Sequence, residues 1–78
     1  MFPIVGARLK SAFKILLVED MESFRGAVSQ LLGVYNDVKE ADSLASARRL
    51  LQTESFDVVI LDKGLPDGDG LELLTEIK

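Results

Sequence analysis

Asp57-Val58-Val59-Ile60-Leu61-Asp62 is the stretch on which the fold turns, and Lys63-Gly64-Leu65-Pro66-Asp67-Gly68-Asp69-Gly70 follows it directly. Four consecutive apolar residues, three of them β-branched, read as a strand buried on both faces, the profile of a parallel sheet. The strand stops on a carboxylate, Asp62, and the eight residues after it are dense in turn formers. Earlier in the chain Ile15-Leu16-Leu17-Val18 repeats the design and stops on Glu19-Asp20.

Between and around these runs the apolar period changes from two to 3.6. Phe24, Ala27, Val28, Leu31 and Leu32 fall on one stripe of an amphipathic helix that ends at Gly33, and the stripe is expected to be core. Val34 to Ala41 is less regular; Val38 and Ala41 flank Lys39 and Glu40, which suits an exposed edge strand. Asp42 or Ser43 offers an N-cap for a second helix carrying Leu44, Ala47, Leu50 and Leu51. Leu71, Leu74 and Ile77 begin a third helix, with Asp69 as its cap. Alternating β and α units imply a parallel sheet with right-handed crossovers.

Composition narrows the chemistry. The 78 residues make at most one small domain, 47% apolar and 28% charged, which is globular rather than disordered. Arg8, Lys10 and Lys14 give the first fourteen residues +3 with no acid, while residues 15–78 carry −7 within a net −4. So acidic a body repels phosphate backbones, and nucleic-acid binding by this segment is not expected. No run approaches the roughly 20 apolar residues of a membrane span, so neither a membrane partner nor a leader is expected, and the expected location is cytoplasmic. Residues 1–13 read as an N-terminal extension, either a loose tail or an amphipathic arm covering a neighbouring surface, and residues 14–78 as the domain. With no cysteine and no histidine, thiolate metal sites, disulfides, thiol catalysis and the commonest general base are excluded. What remains is carboxylate chemistry.

Open parallel sheets bind ligands beyond the carboxyl ends of their strands, where the winding reverses. If the first strand lies between the second and third, Glu19, Asp20 and Asp62 converge there. Three ionised carboxylates need a compensating charge. An all-oxygen set without His or Cys suits a hard cation, most naturally Mg²⁺.

Ile15-Leu-Leu-Val-Glu-Asp20 with its Phe24-containing helix, Asp57-Val-Val-Ile-Leu-Asp62, Pro66 four residues beyond that acid and Gly70 eight beyond it together resemble the receiver domain of two-component response regulators. The resemblance runs from Lys14 to Lys78. It implies a flavodoxin-like, doubly wound α/β sheet, here of three strands in the order 2-1-3 with helices on both faces. It implies that Asp62 accepts a phosphoryl group from a sensor histidine kinase or phosphotransfer protein. Mg²⁺ would be held by Asp20, by Glu19 through water, by Asp62 and by the backbone carbonyl of Gly64. A domain of this kind is a phosphoacceptor rather than an enzyme, capable at most of Mg²⁺-dependent self-phosphorylation and dephosphorylation.

The resemblance also implies five βα units, whereas this sequence carries three, the last incomplete. A Ser/Thr and a Lys that touch the phosphoryl group in the family would lie on the two that follow, so acceptor activity is expected to be impaired. The third strand becomes an apolar edge without Lys or Pro, and self-association through it is expected. A phosphorylation-independent dimerisation or interaction module is the alternative. A Mg²⁺-dependent phosphoesterase is disfavoured because Gly64 stands where an Asp-x-Asp motif needs its second acid. Asp67 and Asp69 do not satisfy a Ca²⁺-loop template, which would place Pro66 or Leu71 at its fifth position.

Overall fold

The structure, a computed structural model, describes residues 12–76. Most of the expected N-terminal extension, and Ile77 of the third helix, therefore lie outside the described residues. The elements run β1 (Lys14–Val18), α1 (Glu22–Leu32), β2 (Asp37–Ala41), α2 (Leu44–Thr53), β3 (Val58–Leu61), a minimal hairpin of β4 (Gly64–Leu65) and β5 (Gly68–Asp69), and a 3₁₀ helix over Gly70–Thr75. The main sheet is parallel with order β2-β1-β3, Ile15 lying beside Val38 on one side and beside Val58 on the other. This is the three-strand order expected from the sequence.

The chain steps outward from β1 to β2 and then back across to β3. With right-handed crossovers that reversal puts α1 and α2 on opposite faces. Strand alternation divides β1 accordingly: Leu16 and Val18 join Ala41, Leu44, Ala47, Leu65 and Leu73 in one apolar cluster on the α2 face. Ile15 and Leu17 are buried too, on the face that α1 covers.

Helix α2 starts where the Ser/Thr/Asp cap signal places it. Ser43 is the cap: its Oγ accepts the Ser46 N–H at 3.1 Å, and Ser46 Oγ in turn accepts the Ser43 N–H at 3.2 Å. Helix α1 departs from expectation. None of its residues is fully buried, and Phe24 (54% exposed) and Leu31 (76%) face out, so its stripe is only half used. The reason is lateral position, since α1 packs on β1 and β2 and leaves much of its apolar stripe beside β3 uncovered. For the same reason β3 is half-buried throughout rather than enclosed.

The third helix also differs. It is 3₁₀ rather than α, and at three residues per turn Gly70 and Leu73 share its buried side while Leu71 and Leu74 face out. Leu73, not Leu71 or Leu74, therefore anchors this segment in the core. Its N-terminus is capped as expected: Asp69 Oδ1 accepts the Leu71 N–H at 2.9 Å and Glu72 reaches back to the Asp69 N–H.

Candidate functional site

The carboxyl ends of β1 and β3 lie side by side because the two strands pair in register from Ile15↔Val58 to Val18↔Leu61. The ladder continues one residue further: the Asp62 N–H donates to the Val18 carbonyl at 3.0 Å and the Glu19 N–H to the Ala41 carbonyl at 2.9 Å. Main-chain bonds thus fix the backbone of both acids. Glu19, Asp20 and Asp62 each offer a carboxylate oxygen within 4.8 Å of the others, although 42 positions separate Asp20 from Asp62. Glu19 and Asp62 are half-buried and Asp20 is exposed, so the cluster opens to solvent.

Arg25 is a member of this neighbourhood that the sequence reading did not single out. Its Nη1 donates to the Glu19 carbonyl at 2.9 Å and its Nε to Glu40 Oε1 at 2.9 Å. A guanidinium one turn into α1 therefore holds the backbone of the acid pair and bridges it to β2. The available signal was charge isolation, since Arg25 is the only base between Ile15 and Val38.

The loop after Asp62 is tied down at several points. The Gly70 N–H donates to the Lys63 carbonyl at 2.6 Å. Gly64 pairs with Asp69 and Leu65 with Gly68 across the Pro66-Asp67 turn. Gly68 adopts φ 148°, a region that favours glycine, and a Cβ there would meet Leu44 Cδ1 at 2.7 Å. Asp67, which the sequence left without a role once the Ca²⁺ template failed, caps α2 from outside. Its two oxygens accept the N–H groups of Leu44 (2.8 Å) and Ala45 (3.0 Å), and these bonds hold its carboxyl below the usual carboxylate range. Gly64 itself is exposed, at the start of this hairpin and two residues from Asp62.

Residues 15–78 match the response regulator receiver domain family, which is most of the chain. The chain belongs to this family. The receiver domain is 41% identical over 70 residues to the transcriptional regulatory protein KdpE of Staphylococcus aureus, which covers 83% of this chain and 29% of the relative. It is 35% identical over 74 residues to the chemotaxis protein CheY-3 of Vibrio cholerae, covering 92% of this chain and 57% of the relative. Among solved structures, the non-phosphorylated HemR receiver domain from Leptospira biflexa superposes with a TM-score of 0.74 at 36% identity, covering 81% of this chain and 52% of that one. The chain thus spans about half, or less, of the length of these proteins. No helix among its described residues is long and apolar enough to cross a membrane.

Proposed function

We propose that this receiver domain is a cytoplasmic phosphorelay module in which Asp62 accepts a phosphoryl group from a histidine kinase or phosphotransfer protein. The observation that carries the reading is the convergence of Glu19, Asp20 and Asp62 at the ends of the two central apolar strands. Asp62 supplies an anionic oxygen nucleophile that needs no general base, so a chain without histidine meets the requirement. In the transfer, the phosphorus–nitrogen bond of the donor phosphohistidine breaks and a bond from phosphorus to an Asp62 carboxylate oxygen forms. The electron pair of the broken bond stays with the leaving imidazole.

The donor set fits Mg²⁺. Two oxygens on one Mg²⁺ at about 2.1 Å lie no more than about 4.2 Å apart, so a spread within 4.8 Å accommodates direct ligands and a water-bridged one. Asp20 and Asp62 would bind directly, Glu19 through water, and the Gly64 carbonyl would add a third protein oxygen. When bound, the cation neutralises charge on the phosphoryl oxygens. Residues 14–78 form the receiver portion and residues 1–13 an extension to it. The chain is an acceptor rather than a turnover enzyme, and its own catalysis is limited to self-phosphorylation and dephosphorylation.

The test is incubation with a small-molecule phosphodonor and Mg²⁺, followed by intact-mass spectrometry. A single phosphoryl adduct is expected on the native chain, none on Asp62→Asn, and none after chelation of the metal. An adduct that persists in Asp62→Asn would remove Asp62 from the acceptor role.

A further inference from the structure

The parallel ladder between β1 and β2 loses a donor at the acid pair. Val18 lies beside Ala41, so Glu19 is in register with Asp42, and the Glu19 N–H donates to the Ala41 carbonyl at 2.9 Å. In a continuing parallel ladder the Glu19 carbonyl would accept the N–H of Ser43. By then β2 has ended, and Ser43 has become the cap of α2, its N–H donating to Ser46 Oγ at 3.2 Å. Arg25 supplies the missing donor: its Nη1 donates to the Glu19 carbonyl at 2.9 Å while its Nε donates to Glu40 Oε1 at 2.9 Å.

We propose that Arg25 is a positioning residue of the cation site: by fixing the peptide that joins Glu19 to Asp20, it holds their carboxylates at the spacing one Mg²⁺ requires and so raises the affinity for the ion, although its own charge opposes it. This rests on the reading of Glu19, Asp20 and Asp62 as a Mg²⁺ site. Arg25 touches none of their carboxylates in the bonds it makes to Glu19 and Glu40; it acts through the Glu19 main chain. From the other side, Glu19 Oε2 accepts the Met21 N–H at 3.1 Å, so the turn between β1 and α1 is tied at both of its ends.

Electrostatics alone would not place a base here. Arg25 is the fourth residue of α1, near the helix end whose dipole favours acids, and as a bare charge beside the acid cluster it would repel a divalent cation. Shape accounts for it. The guanidinium is a planar fork, and one arm reaches the Glu19 carbonyl while the other is anchored on Glu40 of β2, with only 16% of the side chain exposed. A lysine ammonium is a point charge on a flexible stem and does not reproduce that two-armed bridge. Charge and geometry therefore make opposite predictions. Loss of a repelling charge tightens Mg²⁺, whereas loss of a partner that orients metal ligands weakens it, by about 10–100-fold in typical sites.

Calorimetric titration with Mg²⁺ alone, on the native chain, Arg25→Gln, Arg25→Lys and an Asp20→Asn control, separates the two. Both Arg25 variants should bind at least about tenfold more weakly than the native chain, the lysine giving no rescue. Arg25→Lys, the milder change, decides the matter should Arg25→Gln fail to fold. Backbone ¹⁵N order parameters measured in chelator add a reading that needs no metal: at Glu19 and Asp20 they should fall from about 0.85 to below about 0.6 in the variants, while Ile15 to Leu17 keep native values. Mg²⁺ binding by the native chain that Asp20→Asn weakens, with either Arg25 variant binding as tightly or more tightly, overturns the positioning role and leaves the metal site standing. Order parameters unchanged at Glu19 and Asp20, or lowered equally along β1, overturn it as well, the second result marking a merely structural residue. A native chain that binds no Mg²⁺ overturns the metal reading, and the affinity role of Arg25 with it.

Discussion

Gly70→Ala and Gly26→Ala make the same chemical change with opposite expected results. Gly70 is buried at the start of the 3₁₀ helix, and a Cβ there would overlap the Asp62 carbonyl oxygen, approach the Asp62 carbonyl carbon to 3.0 Å and Leu61 Cδ1 to 3.2 Å. Two of those three neighbours are backbone atoms and cannot rotate away. The Asp62 backbone is itself pinned by its N–H bond to Val18, and Gly70 by its N–H bond to Lys63. Relief therefore requires the loop to move. Overpacking of this kind costs about 1–3 kcal/mol, and loss of the Gly70 hydrogen bond adds about 0.5–1.5 kcal/mol.

A net loss of about 2–4 kcal/mol follows for Gly70→Ala, a large share of the stability of a domain held by about 0.05–0.15 kcal/mol per residue. At about 4–8 °C per kcal/mol the midpoint of thermal unfolding should fall by more than about 10 °C. Gly26 sits inside α1 with no atom within 4 Å of a Cβ and no positive φ, so alanine there should stabilise by about 0.5–1 kcal/mol. Urea unfolding followed by far-ultraviolet circular dichroism, at one protein concentration for all three chains, measures both. A Gly70→Ala variant within 0.5 kcal/mol of the native chain, a margin typical of uneventful surface changes, would refute the close approach of the loop to Asp62.

Three further outcomes are expected. Ser43→Ala removes the α2 cap and should cost about 1 kcal/mol by the same urea measurement, with α2 the first segment to gain amide exchange. The Asp67 carboxyl is held below its ordinary value of 3.8, so its contribution is complete above that value and is lost as pH falls through the folded one. Asp67→Asn should therefore flatten the acid side of the stability profile below about pH 4, measured as urea midpoints at successive pH values. The profile should keep some slope, because Glu54 and Glu76 are held low by Lys14 and Arg48. Asp20→Asn should weaken Mg²⁺ binding in a calorimetric titration yet raise the urea midpoint in chelator, since it removes one of three mutually repelling carboxylates, a relief of about 0.5–1 kcal/mol at an exposed position.

What could be read from the sequence was whatever is local. Strands announce themselves by apolar runs that end on acids, and the order 2-1-3 follows from winding rules that need only the succession of elements. The cap residues Ser43 and Asp69 sit within three positions of the groups they bond, which is why their side chains were legible. Asp67 was not, because the N–H groups it caps lie 22 and 23 positions earlier. Nothing within the Asp-Gly-Asp-Gly string distinguishes the acid that caps the helix ahead from the acid that caps the helix behind. The uncovered stripe of α1 was illegible for a related reason: periodicity reports which side of a helix is apolar, not whether a second element lies against it.

The site combines both kinds of information. Its residue types come from two strand ends, each readable alone, but their precision comes from non-local bonds. Asp62 is set by Val18, Glu19 by Ala41 and Arg25, and the loop beyond Asp62 by α2 through Asp67. Each of these supports is a backbone bond or a bond to backbone, so the carboxylate side chains stay out of the scaffold, apart from Glu19 Oε2, which accepts the Met21 N–H at 3.1 Å. A cluster of like charges resists assembly, and here it is imposed by a main-chain framework that does not depend on the charges it holds.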